Sequence, residues 1–138
     1  MTYLLDSNAW IYSFRRPRSV LASRLSAAYI AGGIVLCEIV KAELLQGALL
    51  ANNPRRDLQR LRSLFTLYPS HPFDGPVAEQ WARVNAPLRR VGTPIGPFDA
   101  AIAATALVHR CTVVTHNRKH FDLVPGLAVE DWEAEEAG

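Results

Sequence analysis

The stretch Tyr3-Leu4-Leu5-Asp6-Ser7-Asn8-Ala9-Trp10-Ile11-Tyr12-Ser13-Phe14 decides the fold. Three apolar residues end at a small polar cluster, and a mixed run follows. This pattern reads as a buried strand, a cap and turn, then a helix over residues 9–14. Pro17 breaks that helix. Outward from here the alternation repeats. Helix is expected over 19–31, stopped by Gly32-Gly33, then strand over 33–37 and helix over 38–50. Asn52-Asn53-Pro54 is a breaker before a helix over 55–65, and a short strand is expected over 67–71. Residues 76–91 read as helix, kinked or ended by Pro87. After a loop over 92–97 come helix over 98–108, a β-branched strand over 111–115 and a last strand over 127–132. Strands alternating with helices predict an α/β fold with a mostly parallel central sheet of about four or five short strands.

The chain has 138 residues, 49% hydrophobic and 20% charged, the size and composition of one globular domain. We expect that domain over 1–132 and an acidic tail over 133–138. The longest uncharged run, 25–37, is shorter than the roughly 20 apolar residues of a membrane span. Met1-Thr2-Tyr3-Leu4-Leu5-Asp6 has no basic leader segment, and two cysteines make no disulfide framework, so a cytoplasmic protein is expected. The net charge of +2 hides a split: residues 1–129 carry all 15 basic residues against 8 acids, while five acids crowd into 130–138. A basic, arginine-rich body suits a polyanion such as nucleic acid.

Three acids stand where a purely structural role explains them poorly. Asp6 closes the first strand, at the edge where open parallel sheets bind ligands. It can also serve as a helix N-cap, although Ser7 or Asn8 can do that equally well. Glu43 has Ile39, Val40 and Leu44 beside it on a helix, which puts it at the boundary of an apolar face or buried and paired. Asp99 precedes Ile102, Ala103, Ala106 and Leu107 at helical spacing, so it is expected on the buried side. If the three converge, their charges repel unless a cation neutralises them. Oxygen donors without a Cys or His pattern point to Mg2+ or Mn2+. Such a cation keeps waters, activates one as nucleophile and neutralises a phosphodiester.

Asp6-Ser7-Asn8, Ala42-Glu43-Leu44 and Gly92-Thr93-Pro94-Ile95-Gly96-Pro97-Phe98-Asp99 through Ala104 resemble the PIN-domain ribonucleases. So do Val114-Thr115-His116-Asn117-Arg118-Lys119-His120-Phe121, Val124-Pro125-Gly126-Leu127 and Val129-Glu130-Asp131-Trp132. Within that family the chain resembles the VapC-type toxins of bacterial toxin–antitoxin pairs, most of all the branch that cleaves initiator tRNA. The resemblance spans about residues 3–132. It implies a metal-dependent endoribonuclease acting on RNA, tRNA included, with Asp6, Glu43 and Asp99 as catalytic, Mg2+-binding acids. It further implies a cognate antitoxin and a homodimer. Ser7 matches the small hydroxyl residue and Asn8 the asparagine of the first motif. Many members carry a fourth acid where this chain has Asn117, and Asp122 matches a nearby position that is often acidic. Either can complete the site.

Other signals are weaker. Cys111, His116 and His120 have a zinc-like spacing but no evident fourth ligand. Ser7 lacks a G-x-S-x-G elbow. Trp10 and Phe14 share a helix face and read as core or dimer contact rather than a base-stacking platform. Two alternatives stay open: a non-catalytic PIN module that binds RNA or a partner, and an aspartate-dependent phosphatase or signalling domain. The second is disfavoured by Asn8, where a phosphatase of that type wants a second Asp.

Overall fold

The computed structural model describes residues 1–134; residues 135–138, most of the expected acidic tail, lie outside the described residues. The elements in chain order are β1 (Tyr3–Leu5), α1 (Ser7–Arg15), α2 (Val20–Ile30), β2 (Ile34–Cys37), α3 (Glu38–Leu49) and α4 (Pro54–Phe65). There follow β3 (Ser70–His71), α5 (Gly75–Arg90), α6 (Pro97–His109), β4 (Thr112–Val114), α7 (Arg118–Phe121) and β5 (Val129–Glu130). The five strands form one sheet in the order β3-β2-β1-β4-β5, every pair parallel. Helices cover the faces, so the inner strands are buried and read as continuous apolar runs.

The order places β1 at the centre. From it the chain winds outward through β2 and β3, then returns to build β4 and β5 on the other side. The reversal lies between β1 and β4, and parallel sheets bind ligands at the carboxyl ends of the strands at such a point. Leu5 is in register with Val114, which makes Asp6 and Thr115 neighbours one step beyond the ladder. Leu4, Leu36, Val40, Ile102, Val113, Phe121 and Trp132 form the centre of the core.

Strand expectations hold in place but shrink at their ends, as with β3 and β5, which pair over two residues each. Pro87 does not end α5. The helix continues to Arg90, with Val91 N–H donating to the Pro87 carbonyl at 3.2 Å. Leu88 is buried in the core, and that packing outweighs the hydrogen bond proline removes. The short α7 was not expected from the sequence. It is a single turn with three basic residues, held by Phe121 in the core. Among the described residues no helix is long and apolar enough to cross a membrane.

Candidate active site

Asp6 leaves the end of β1 with extended backbone and starts α1. Its Oδ1 accepts from Ala9 N–H at 2.9 Å, so Asp6 is itself the N-cap rather than Ser7 or Asn8. Its Oδ2 accepts from the Thr115 hydroxyl at 2.6 Å. The residue is only 5% exposed. Burial raises its pKa from 3.8 to about 6; the Thr115 and Ala9 hydrogen bonds pull it down, and the charges of Asp99 and Glu133 push it up. A buried carboxylate with acidic neighbours is a group that a cation would neutralise.

Glu43 is half-buried on α3, and its Oε1 accepts from the Ser7 hydroxyl at 2.6 Å. Ser7 is buried in the first turn of α1, so this bond ties Glu43 to the residue after Asp6. Asn8 is exposed on the same turn.

Asp99 departs from expectation. It is not on the buried side of α6: its side chain keeps 27% of its exposure. Side chains lean toward a helix N-terminus, so a first-turn residue projects off the end of the helix. The apolar stripe begins one residue later and runs from Ala100 to Ala106. Gly96, at φ 90°, turns the loop into α6, and Trp81 Nε1 on α5 donates to the Pro97 carbonyl at 3.0 Å, which fixes that turn.

The β4 end brings Asn117 and His120 to Asp99. The Asn117 side-chain nitrogen lies 3.4 Å from Asp99 Oδ2 and 2.8 Å from His120 Nδ1, and His120 Nδ1 lies 3.2 Å from the same Asp99 oxygen. Thr115 Oγ1 accepts from Asn117 N–H at 2.9 Å while donating to Asp6. One hydroxyl thus links the two halves of the site. Asp122 is not brought to it. Both its oxygens accept from Arg118, at 3.1 and 3.3 Å, on the exposed side of α7.

The zinc-like spacing separates in space. Cys111 is buried at the start of β4, where its thiol faces the His109 carbonyl, and His120 meets Asp99. His116 Nδ1 pairs with Asp131 at 2.9 Å and lies 3.7 Å from Glu133, an ion-pair cluster that raises the histidine pKa, chiefly through the Asp131 hydrogen bond. Trp10 is core, edge-on to Tyr68, whereas Phe14 is 47% exposed. Phe14 lines a groove of about 580 Å3 between α1, α3 and α4, with Ile11, Leu44, Leu61 and Leu64. Arg15, at the groove, and Arg16 and Arg18 beyond it are exposed, Arg16 over the Tyr12 ring.

The PIN-domain family profile matches residues 3–127. This chain belongs to the PIN-domain family. Within it, the ribonuclease VapC1 of Haemophilus influenzae strain R2866 is 31% identical over 136 residues, covering 96% of this chain and 98% of that one. The tRNA(fMet)-specific endonuclease VapC of Shigella flexneri is 28% identical over 132 residues, with 96% and 98% covered. The solved structure of DNA-bound VapBC from Salmonella typhimurium superposes with a TM-score of 0.88 at 28% identity, again over 96% and 98% of the chains. This PIN domain is therefore a VapC-type nuclease. Two polar residues near its acids were not read as part of this site: Thr115, and His120, noted only for the zinc-like spacing. Thr115 was legible from strand register, since it follows β4 as Asp6 follows β1. His120 lies three residues beyond Asn117, the spacing that puts both on one face of a helical turn.

Proposed function

We propose that this PIN domain is a metal-dependent endoribonuclease, the toxin of a toxin–antitoxin pair, which hydrolyses phosphodiesters of tRNA. The observation that carries the reading is the buried Asp6 at the β1–β4 switch point, its pKa raised in part by the Asp99 charge, with Glu43 bonded to the neighbouring Ser7. The tRNA preference draws on the Shigella flexneri relative, whose name states that specificity. An RNA-binding surface without chemistry gains nothing from clustered negative charge, which disfavours a non-catalytic module.

The donor chemistry fits Mg2+, with Mn2+ able to substitute. Asp6, Glu43 and Asp99 would hold it. When bound, the cation supplies charge neutralisation and Lewis acidity toward the phosphodiester. The chain's own residues do the rest. Thr115 orients the Asp6 carboxylate, and Ser7 holds Glu43 toward the same edge. Arg15, Arg16 and Arg18 track the RNA backbone, where guanidinium forks meet phosphates. In this reading the groove beside Phe14, where Ile11, Leu44, Leu61 and Leu64 are rimmed by Arg15, Asp57 and Arg60, is the seat of the cognate antitoxin. Residues 1–132 act as the nuclease unit, as a homodimer, in the cytoplasm.

The test is cleavage. Protein freed of antitoxin is incubated with total RNA and a tRNA pool, with Mg2+, with Mn2+ and with EDTA, beside Asp99→Asn. Discrete fragments that need metal and vanish in the variant support the reading, and end mapping identifies the substrate. A folded sample that cuts nothing with either metal overturns it.

A further inference from the structure

Asp99 Oδ2, His120 Nδ1 and the Asn117 side-chain amide form a closed triangle with edges of 3.2, 2.8 and 3.4 Å. Ligands on one face of a six-coordinate cation with bonds of about 2.1 Å lie about 3.0 Å apart. The three atoms therefore stand at the spacing of such a face. Without a cation two of the edges are hydrogen bonds when Nδ1 is unprotonated, the amide nitrogen donating to Asp99 Oδ2 and to His120 Nδ1. Turning the Asn117 amide over about χ2 puts its Oδ1 where Nδ2 now stands, and the triangle becomes three donors to a metal.

We propose that His120 Nδ1 is a direct metal ligand in this chain and shares one face of the cation with Asp99 and Asn117. The proposal rests on the metal-dependent reading above and deepens it. It assigns the imidazole to the place in the site where Asn117 lacks a carboxylate's charge. His120 suits the role by position. It stands on α7, which Phe121 anchors in the core, and its side chain is 35% exposed, so the ring reaches the site edge without supporting the fold. His116 is a different case: Asp131 and Glu133 already occupy its Nδ1 side. An imidazole among oxygen donors shifts preference away from Mg2+ toward later divalent ions such as Co2+.

The experiment loads the purified full chain with Mn2+ and records pulsed electron paramagnetic resonance, using protein grown with 15N-histidine and with ordinary histidine. The expected result is a hyperfine coupling from a directly bound imidazole nitrogen that changes with the isotope. It disappears in His120→Gln and persists in His116→Gln. In parallel calorimetry, His120→Gln weakens Co2+ binding by about tenfold or more while Mg2+ binding changes by less than about threefold. Bound Mn2+ without a nitrogen coupling in the wild-type protein overturns the assignment and leaves the nuclease reading standing, since metal uptake is then intact. Failure of the wild-type chain to bind Mn2+, Co2+ or Mg2+ overturns both.

Discussion

Asp6 meets two opposed demands. It caps α1 and lies buried against Thr115, which serves the fold, yet it does so as an acid whose charge the surroundings resist. Its folded pKa, about 6, lies above the 3.8 of an ordinary aspartate. The folded state thus binds this proton more tightly than the unfolded chain. Its contribution is most favourable below pH 3.8, is lost as pH rises through about 6, and stays lost above. The full loss is on the order of 3 kcal/mol. Asp6→Asn removes that pH dependence. Urea unfolding of the metal-free protein should therefore show the variant more stable than wild type at pH 7.5, with the gap closing toward pH 4. The same variant should lose RNA cleavage by at least about a hundredfold. Stability gained and activity lost together would mark Asp6 as a functional acid; a variant destabilised at both pH values would mark it as a cap alone. The sequence displayed the three acids because each sat at a junction or on an apolar helix. It did not display that Asp99 stays partly exposed at the start of α6, nor that His120 meets it, which depends on where α7 turns. Locally His120 stood out only through a zinc-like spacing to Cys111 and His116, partners that the fold separates from it.

At the scale of elements, most boundaries were legible from punctuation: Gly32-Gly33, Asn53-Pro54 and Gly96-Pro97 each stand where one element ends or the next begins. Pro87 misled because a local rule gave way to packing along α5 and α6. The end of α6 shows the reverse, a local strain kept in place. Arg110 adopts φ 56°, left-handed backbone, and the Cys111 N–H then closes on the Ala106 carbonyl at 2.9 Å. Glycine takes this conformation without the side-chain penalty. Arg110→Gly should raise stability by about 0.5–1 kcal/mol, the relief of strain being partly offset by a freer unfolded chain; a fall in melting temperature would show that the arginine side chain earns its place. The groove between α1, α3 and α4 is testable through Phe14, exposed and outside the core. Phe14→Arg should weaken capture of the cognate antitoxin by about tenfold or more, as for an aromatic anchor, and leave the melting temperature unchanged. Unaltered antitoxin affinity by calorimetry would put the antitoxin elsewhere.

For the molecule as a whole, charge sets how it meets RNA. The body through residue 129 carries a net of +7. Arg15, at the end of α1, and Arg16 and Arg18, between α1 and α2, stand exposed. Replacing all three with alanine should lower RNA affinity, and should flatten the slope of log affinity against log salt by about 2 for a single strand. Filter binding across a salt series with catalytically dead Asp99→Asn protein measures it; an unchanged slope would mean that the RNA runs elsewhere.

The central strand is made first and completed late. Asp6 waits for Thr115, a hydrogen bond spanning 109 residues, and the Asp99 triangle closes only with His120. During synthesis Asp6 therefore stays without its Thr115 partner, and Asp99 without His120, until residues 115–120 have followed.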